Sequence, residues 1–545
     1  MVDTRRIPMG FCKTCKIDAR RLPRPGAWAA TAALAVAGLL AGCGGGGGGG
    51  GGVPIGLFPG VTPPPASGDG IVASSTVAGL CASPRSGVTP DTGTPYPDRL
   101  GSLDNEKSWV RGWIDETYLW YGEVPTTLKA ADYATPITWF NVLKTTATTA
   151  SGKAKDRFHF TYNTEEYRQL SQGGVSAGYG TEFASVRSSP PRNIRIAMVE
   201  PGSPANTAGV QRGYKMVKVD GVDVINSTSS ADINTINRAI SPKAVGESHT
   251  FVFSVGGVDQ APVTLTAANV TSTPVQKTQA IGDVGYLLFN DHISTSEKQL
   301  VDAINQLKGL NVKDLVIDMR YNGGGLLSIA SELAYMVSAP ATGSTFERLA
   351  FNDKNPFKLT PSQTFVPFYS TGRGFSVSSG QPLPTLGLTR VTVLTGPDTC
   401  SASESVVNGL RGVGVTVNLV GGTTCGKPYG FYPQDNCGTT YFAIQFKGVN
   451  QAGFGDYGDG FAPTCTVADD FDHQLGDKNE ARLAAALGLI SGGSCPAVAA
   501  KAAAASGALD KVGPAAPGAE QEQPYLRDRT PLRQNRLLEA APNPA

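Results

Sequence analysis

The sequence carries almost no net charge and very few histidines. Its 545 residues include 46 Lys and Arg against 45 Asp and Glu, and four histidines in total. Proteins that bind nucleic acid usually show a basic excess clustered on one face, so this balance argues against a nucleic-acid partner. No histidine lies in a pattern resembling a Ser-His-Asp arrangement. A histidine-dependent serine hydrolase is therefore not indicated.

Patterns for phosphate and metal binding are missing as well. The glycines of "NGGGLLSIA" are not followed by the Lys-Ser/Thr pair that a phosphate loop requires. No CxxC spacing or neighbouring His pair accompanies the cysteines after residue 43, so zinc is the weaker interpretation there. We therefore expect no metal and no cofactor.

Length and composition indicate several domains with unstructured ends. A chain of 545 residues is too long for one ordinary core, so two or three domains are expected. Much of the excess of glycine (67) and proline (38) lies in the tails. We predict a flexible Gly/Pro-rich linker over 44–95 and a disordered tail over 493–545.

Residues 1–43 have the pattern of an export signal. Basic residues precede "AWAATAALAVAGLLAGC", which is too short and too rich in small residues for a transmembrane helix. The ending "LAGC" resembles the lipobox of bacterial lipoproteins, which implies lipidation of Cys43; a chance cysteine is the alternative. The nine glycines at 44–52 then form a tether. The CxxC pair Cys12 and Cys15 lies in the segment to be removed, so it carries little weight.

Six cysteines remain in the exported chain. An even number in an exported protein suggests disulfides, although the sequence leaves their pairing open. Three of them crowd one stretch between residues 400 and 437. The six are Cys81, Cys400, Cys425, Cys437, Cys465 and Cys495.

Residues 96–172 are predicted to form a small helical domain. Its first helix has an apolar stripe at helical spacing. A ligand surface is one interpretation of this stripe, but packing against a core is the favoured one. The stripe consists of Trp109, Trp113, Ile114 and Trp120.

Residues 173–272 resemble a PDZ domain of the kind found in bacterial processing proteases. The resemblance is carried by "GYGTEF" and by "EPGSPANTAGVQRGYKMVKVDGVDV", which ends in the hairpin signal Asp220-Gly221. It implies a groove in which an extended peptide adds as a strand, with loop amides binding its terminal carboxylate. A small β-sandwich that only spaces domains is the alternative. The loop amides would be those of Gly178, Tyr179, Gly180 and Thr181.

From about residue 273 the pattern becomes α/β. "VGYLLF" indicates a strand, "STSEKQLVDAINQLKGL" an amphipathic helix, and "VKDLVIDMRYNGGG" a buried strand that opens into glycines. Glycines at such a point let the backbone approach a ligand closely. Further on, "TTYFAIQFKGVN" is predicted as one strand and "KNEARLAAALGLI" as a terminal helix.

The stretch "TCSASES" places three serines where the strand "RVTVLTG" passes into a helix. A hydroxyl at a helix N-terminus lies where free amides and the helix dipole favour a developing anion. A serine nucleophile still needs a base, and a desolvated lysine can serve. Lys427 follows Ser401 after one strand-helix-strand step, which can bring the two ends together.

The motifs "VIDMRYNGGG", "SASE" and "GK", in this order after a PDZ-like segment, resemble the carboxyl-terminal processing peptidases, or tail-specific serine proteases. The resemblance spans roughly residues 100–490. It implies a multidomain α+β fold: a helical N-terminal domain, a β-sandwich-like PDZ domain with helices, and an α/β peptidase core of the ClpP/crotonase-like type over 273–492.

The resemblance also assigns roles to single residues. It implies that Ser401 is the nucleophile, with Ser403 the less favoured alternative, and that Lys427 is the general base. Glu404 matches a position that helps to order the pair, although a carboxylate at a helix start can also act on the dipole alone. The oxyanion hole would combine the amide of Ala402 with that of a glycine, Gly324 or Gly325.

One position departs from the family pattern. In many relatives Gly-Thr-Val-Gln follows the lysine and the glutamine orients it, whereas here the sequence is "KPYGF" and Phe431 takes that place. Either Glu404 alone orients Lys427 or the geometry differs. We hypothesise that disulfides of Cys400, Cys425 and Cys437 compensate by joining the two loops.

The sequence thus predicts an envelope serine endopeptidase that cleaves unstructured or C-terminal segments of exported polypeptides through an acyl-enzyme. Its expected location is the bacterial cell envelope, anchored by lipid in the membrane, with the outer membrane favoured. The alternative is a non-catalytic peptide-binding lipoprotein that uses the same groove and PDZ surface.

Overall fold

The structure is a computed structural model that describes residues 70–90 and 92–496, together with the backbone strand at 536–537. The predicted signal segment with Cys43, the glycine tether and most of the predicted tail lie outside the described residues. Within the described ranges, no helix combines the length and apolar character needed to cross a membrane.

The N-terminal helices share a core with a distant part of the chain. Trp109, Trp113 and Ile114 are buried and pack against Tyr441 and Ile444, which confirms that this part of the stripe packs inward. The region predicted as a separate helical domain therefore builds its core jointly with the peptidase segment. Its elements are β2 (Arg99–Leu100), α2 (Leu103–Thr117), α3 (Pro136–Phe140) and α4 (Thr164–Gly173).

Two predictions for the N-terminal region are wrong. Trp120 lies beyond the end of α2 and is only half-buried, so its place in the helical stripe is wrong. Two elements, α1 (Ser74–Val77) and β1 (Leu80–Cys81), lie within the predicted flexible linker, and Cys81 is bonded to Cys437, so the linker prediction is wrong over these residues.

Residues 175–271 form an antiparallel sheet unit. The hairpin predicted at Asp220-Gly221 is present: both residues have positive φ, 49° and 81°, and Val219 pairs with Val222. A two-stranded sheet joins β4 (Val175–Gly178) to β12 (Ala268–Thr271). The other elements are β5 (Thr181–Arg187), β6 (Asn193–Val199), α5 (Pro204–Thr207), β7 (Lys215–Val219), β8 (Val222–Asp223), α6 (Ser230–Ile240), β9 (Ser248–Val255), β10 (Val258–Asp259) and β11 (Val263–Thr266).

A six-stranded sheet forms the centre of the peptidase segment. All its pairs are parallel except the first, and the strand predicted for "VGYLLF" is β14. Alternate residues point to opposite faces, so the sheet feeds two separate apolar cores. In sheet order the strands are β13 (Val275–Ile281), β14 (Val284–Phe289), β15 (Asp314–Asp318), β19 (Arg390–Thr395), β20 (Thr416–Gly421) and β25 (Cys465–Thr466).

Four helices cover the two faces of this sheet. Three of them contribute to one core and the fourth, the predicted terminal helix, contributes to the other. This places the helix that begins beside Ser401 directly against the sheet. The three are α7 (Ser296–Gly309), α8 (Leu327–Ser338) and α9 (Ala402–Gly412), and the fourth is α10 (Ala481–Ile490).

Smaller sheets connect this core to its surroundings. The prediction of a single strand for "TTYFAIQFKGVN" is wrong, because this stretch forms two strands that belong to different sheets. One sheet contains β17 (Thr345–Phe351), β18 (Phe365–Pro367), β21 (Tyr429–Gly430) and β24 (Phe446–Val449); another contains β3 (Phe160–Asn163), β22 (Gln434–Asn436) and β23 (Thr439–Phe442); a third pairs β16 (Gly325–Leu326) with β26 (Arg536–Leu537).

All six cysteines form disulfides, and the pairing left open by the sequence is now defined. Cys400 bonds to Cys425, with a Cα–Cα distance of 5.1 Å. Cys437 instead bonds to Cys81, so the hypothesis that it helps to join the two loops is wrong. The third pair is Cys465–Cys495.

Candidate active site

Ser401 lies at a strained turn between a strand and a helix. It directly precedes α9, and its backbone has φ 59° and ψ −114°, a conformation that non-glycine residues rarely adopt. The side chain is fully buried, and among the described residues its hydroxyl has no hydrogen-bond partner. Such strain, of about 1–3 kcal/mol, persists only where the surroundings hold it, as in functional sites.

Ser403 has a structural role in the same turn. Its hydroxyl donates to the carbonyl oxygen of Asn322 at 2.9 Å, and the amide of Cys400 donates to that carbonyl at 3.1 Å. The Ser403 hydroxyl is therefore engaged in holding the glycine turn against the start of α9, whereas that of Ser401 is not.

Glu404 joins the serine loop to the lysine loop. Its Oε2 accepts from the amides of Ser401 (3.0 Å) and Lys427 (2.8 Å). Its Oε1 accepts from the amide of Gly426 (2.9 Å) and the hydroxyl of Thr424 (2.5 Å). Burial raises the pKa of Glu404 above its ordinary value, although these hydrogen bonds act to lower it. Its carboxyl group therefore does more than act on the helix dipole.

Lys427 is fully buried at the end of the second loop. Its Nζ lies over the rings of Phe431 and Phe158, 4.4 Å and 4.9 Å from their centroids. The place of the expected glutamine is thus taken by an aromatic face. The Arg157 guanidinium donates to the carbonyl oxygen of Cys425 at 2.5 Å and so holds the loop from the N-terminal side.

The two predicted oxyanion glycines lie against the serine turn. Gly324 and Gly325 have φ 101° and 137°, and a Cβ on Gly324 would lie 2.8 Å from the amide nitrogen of Ala402. A residue with a side chain therefore does not fit at position 324. The Gly324 amide donates to Oδ1 of Asn322 at 3.0 Å, so it is already engaged. Of the two glycines, Gly325 is therefore the better oxyanion candidate.

His292 was missed by the sequence analysis. Its Nδ1 contacts Oδ1 of Asn322 at 3.0 Å, and its backbone pairs with Gly325. Complete burial lowers its pKa to about 3, so the imidazole is neutral at physiological pH. It supports the glycine turn, and a lone histidine outside any motif gives no sequence signal for this role.

A buried ionic network holds the other end of the "DMRYNGGG" segment, and no sequence pattern indicated it. Arg320 is fully buried and donates to Asp318, Asp469 and Glu480 at 2.8–2.9 Å. Arg212, from the preceding sheet unit, also donates to Asp469 at 2.7 Å. The network therefore fixes the strand that leads to the glycines and links it to the neighbouring unit.

The predicted PDZ loop lies between β4 and β5 and packs against α5. The amides of Ala205 and Glu200 donate to the carbonyl oxygens of Tyr179 (3.0 Å) and Gly180 (2.7 Å). Gly178 and Thr181 belong to the flanking strands. A cleft beside this loop is lined by residues of α5 and β12. The four residues are thus far along the chain from Ser401 and lie in a different sheet.

One cluster has the atom types of a metal site. Sulfur and oxygen atoms of Cys400, Glu404 and Cys425 lie within 4.8 Å of one another. Because the two cysteines are joined in a disulfide, they offer no thiolate ligands. The geometry does not fit zinc in this state.

Family models match two parts of the chain. The model for peptidase family S41 matches residues 283–431, and the model for the peptidase S41 N-terminal domain matches residues 105–162. The first range contains the serine turn, the lysine loop and the glycine turn. The class of protein indicated by this α/β core and its buried serine is that of peptidases.

Curated relatives agree with this class. A carboxyl-terminal-processing protease of Picosynechococcus is 26% identical over 269 residues, which cover 48% of this chain and 58% of that protein. Carboxyl-terminal-processing peptidase 2 of Arabidopsis thaliana, named as chloroplastic, is 23% identical over 357 residues, covering 63% of this chain and 62% of that protein. The chain thus spans about three fifths of the length of these relatives. Over residues 105–162 and 283–431 the chain is similar to peptidase family S41.

A solved structure shows the same fold. A crystal structure from Bacteroides fragilis NCTC 9343 that carries an S41 protease name is 23% identical, with a TM-score of 0.55. The match covers 73% of this chain and 98% of that one. The fold class is therefore the mixed α/β fold of S41 proteases.

Proposed function

We propose that the protein is a serine peptidase that hydrolyses peptide bonds in unstructured or C-terminal segments of polypeptides. Ser401 is the nucleophile and Lys427 the general base. The observation that carries the proposal is the position of Glu404, whose one carboxylate binds the backbone amides of both residues. Because the buried Glu404 carboxylate binds both the serine loop and the lysine loop, it holds Ser401 and Lys427 in a fixed arrangement, as a catalytic pair requires.

The reaction begins when the Ser401 oxygen attacks the carbonyl carbon of the substrate. Lys427, in its neutral form, takes the hydroxyl proton and then gives it to the leaving amine, so the first product departs and an acyl-enzyme remains. Burial favours the neutral form of an amine. Water then attacks the ester carbonyl while Lys427 takes a proton from it. The bond between that carbon and the Ser401 oxygen breaks, Lys427 gives its proton to the serine oxygen, and the carboxylic acid product leaves.

During the attack, negative charge develops on the carbonyl oxygen of the substrate. In this proposal the amides of Ala402 and Gly325 donate to that oxygen, with the dipole of α9 adding a favourable field. The Gly324 position supports this arrangement, because the absent side chain lets the glycine turn lie directly against the Ala402 amide.

The strand beside the glycines is suited to an extended peptide. β16 pairs in parallel with β26 of the same chain, with Gly325 opposite Arg536 and Leu326 opposite Leu537. Adding a strand to a sheet edge is a common way to bind a peptide by its backbone. This pairing favours a polypeptide substrate next to the oxyanion glycine.

The test is cleavage of casein by residues 53–545 beside the variants Ser401→Ala and Lys427→Ala. We expect each variant to lose at least about a thousandfold in rate while its thermal unfolding stays close to that of the wild type. Ser403→Ala is the matched control, and it should keep most of the activity. A well-folded wild type that cleaves nothing, or equal activity in Ser401→Ala, would overturn the proposal.

We further propose that residues 173–272 act as a PDZ domain that binds peptide ends at Gly178–Thr181. The adjoining cleft between α5 and β12 supports this. Binding of a fluorescent C-terminal peptide should weaken in a Ser203→Trp variant, which would crowd Gly180, where a Cβ would already lie 2.5 Å from Ser203 Oγ. Unchanged binding would contradict this site.

For the location, we propose a lipid anchor at Cys43 in the bacterial cell envelope, with the outer membrane favoured. Three disulfides among the described residues support an oxidising compartment. Metabolic labelling with a fatty-acid probe should mark the full chain and fail to mark Cys43→Ser. Labelling of both would exclude this anchor.

A further inference from the structure

The amine of Lys427 lies between two aromatic rings that come from distant parts of the chain. Phe431 follows the lysine by four residues, whereas Phe158 belongs to the range that matches the S41 N-terminal domain. The centroids lie 4.4 Å and 4.9 Å from Nζ, within the distance at which a ring face attracts an ammonium group.

Both rings are held in place by their own neighbours. Phe431 is fully buried and packs edge-on against Phe442, with centroids 5.3 Å apart, and against Phe160 at 5.9 Å. Phe158 is 9% exposed, and the Arg157 guanidinium lies 4.7 Å from its centroid. Neither ring can turn away without disturbing packed groups.

The rings are connected to the lysine loop by more than packing. Arg157, next to Phe158, donates to the carbonyl oxygens of Cys425 at 2.5 Å and of Gly426 and Gly458 at 3.4 Å each. The same dipeptide therefore fixes the loop backbone and covers the lysine side chain. A phenylalanine ring that only filled a core would not need an adjacent arginine that binds the lysine loop.

We propose that Phe158 and Phe431 are positioning residues for Lys427, which hold its amine in place and set the pH at which it accepts the serine proton. This inference rests on the proposed function. Each ring face stabilises the ammonium form, and each ring also excludes water from it. An amine that is held tightly loses little entropy when it reaches the serine.

Other ionisable groups surround this site, and the test leaves all of them unchanged. Glu404 on α9 binds the Lys427 amide, and Arg157 binds the loop carbonyls. Tyr429 lies two residues beyond the lysine, and burial raises its pKa to about 12. Asp156 precedes Arg157, and its pKa is lowered because the partners His159 and Tyr118 outweigh its burial.

The experiment compares pH profiles of kcat/KM for a peptide substrate. Leucine keeps an apolar wall and removes the ring face, so Phe158→Leu and Phe431→Leu should each move the acidic limb to lower pH by about 0.5–1 unit. We expect kcat to fall about tenfold, with KM changed less than about twofold. Phe158→Tyr keeps the ring and should keep the wild-type midpoint.

Phe346→Leu is the matched control, since Phe346 is buried and belongs to a different core from Phe158 and Phe431. It should lower thermal stability without moving the midpoint. If both ring variants behave like this control, the inference is wrong although the proposed function stands. If instead the wild type shows no Ser401-dependent cleavage, the proposed function fails first. A shift confined to the ring-removing variants supports the inference.

Discussion

The serine side and the lysine side of the candidate site are built differently. The serine side consists of the glycine turn after β15 and the start of α9, both from the central sheet. The lysine side draws on Arg157 and Phe158 from the N-terminal region and on a carbonyl of Gly458. One side belongs to the central sheet and the helix packed on it, whereas the other is assembled from segments up to 301 residues apart.

The difference suggests a division of tasks. A nucleophile and the amides of its oxyanion hole must be held rigidly and close together, which a strand-to-helix turn provides. A lysine base needs surroundings that remove water and control its charge, and these require side chains from several directions. We expect changes on the lysine side to alter pH dependence and changes on the serine side to alter the maximal rate.

The largest effect should come from separating the two sides at Glu404. In Glu404→Gln the new amide group would face donor N–H groups, so buried donors lose their partner at about 1–3 kcal/mol each. We expect kcat/KM for casein peptides to fall about 100–1000-fold, together with a lower Tm.

Glu166→Gln is the control for Glu404, because Glu166 lies in the first turn of α4 and is exposed. It tests the dipole contribution alone, which is typically below about 1 kcal/mol. Equal losses in the two variants would mean that Glu404 acts only on its helix dipole and does not join the loops.

The second largest effect should come from the Cys400–Cys425 disulfide, which also joins the two sides. Replacing both cysteines by alanine frees a loop with a sequence separation of 25 and should cost roughly 3–4 kcal/mol of unfolding free energy. We expect activity to fall about tenfold at a temperature where the variant is still folded, because the loops lose their fixed spacing.

The Cys465–Cys495 pair provides a matched comparison, since its sequence separation is 30 and it does not touch the site. Its removal should cost a similar unfolding free energy and leave kcat unchanged. Equal loss of activity in both double variants, measured well below their Tm, would show that the first disulfide contributes stability alone.

The same comparison explains what the sequence could and could not predict. The buried strand into glycines and the serine at a helix start are local patterns, so Gly324 and Ser401 could be found without a structure. Phe158 could not, because an ordinary buried aromatic residue gives the same pattern as one that covers a lysine. Phe431 was noticed only as a departure, and the pairing of Cys437 with Cys81 follows from long-range contacts.

A smaller effect is expected from removing β26, which contacts both the serine side and the lysine side of the site. This strand pairs with β16 and lies next to β21, beyond the lysine. Deleting residues 531–545 should raise kcat/KM about two- to fivefold, because β26 would then no longer occupy the edge of β16 to which a substrate strand adds. Deleting residues 505–519 removes the same number and should have no effect. A fall in kcat/KM after the first deletion would show that the segment supports the site.

The smallest effect should lie outside both sides, at a buried carboxyl pair. Burial, and then the charge of Glu297, raise the pKa of Glu332 from 4.5 to about 9. The folded protein therefore holds a proton that the unfolded chain releases above pH 4.5. The stability contributed by protonated Glu332 is complete below pH 4.5 and is lost as pH rises towards 9.

Glu332→Gln resembles the protonated carboxyl group at every pH. We therefore expect its Tm to exceed that of the wild type by about 2–4 °C at pH 8.5, and the difference to shrink towards pH 5. Casein cleavage at pH 7 should stay near the wild-type rate, because Glu332 contacts the Arg373 amide at 2.9 Å rather than either loop of the site. A Tm difference that does not change with pH would mean that Glu332 is ionised in the folded protein, and that its proton plays no part in the contact with the Arg373 amide.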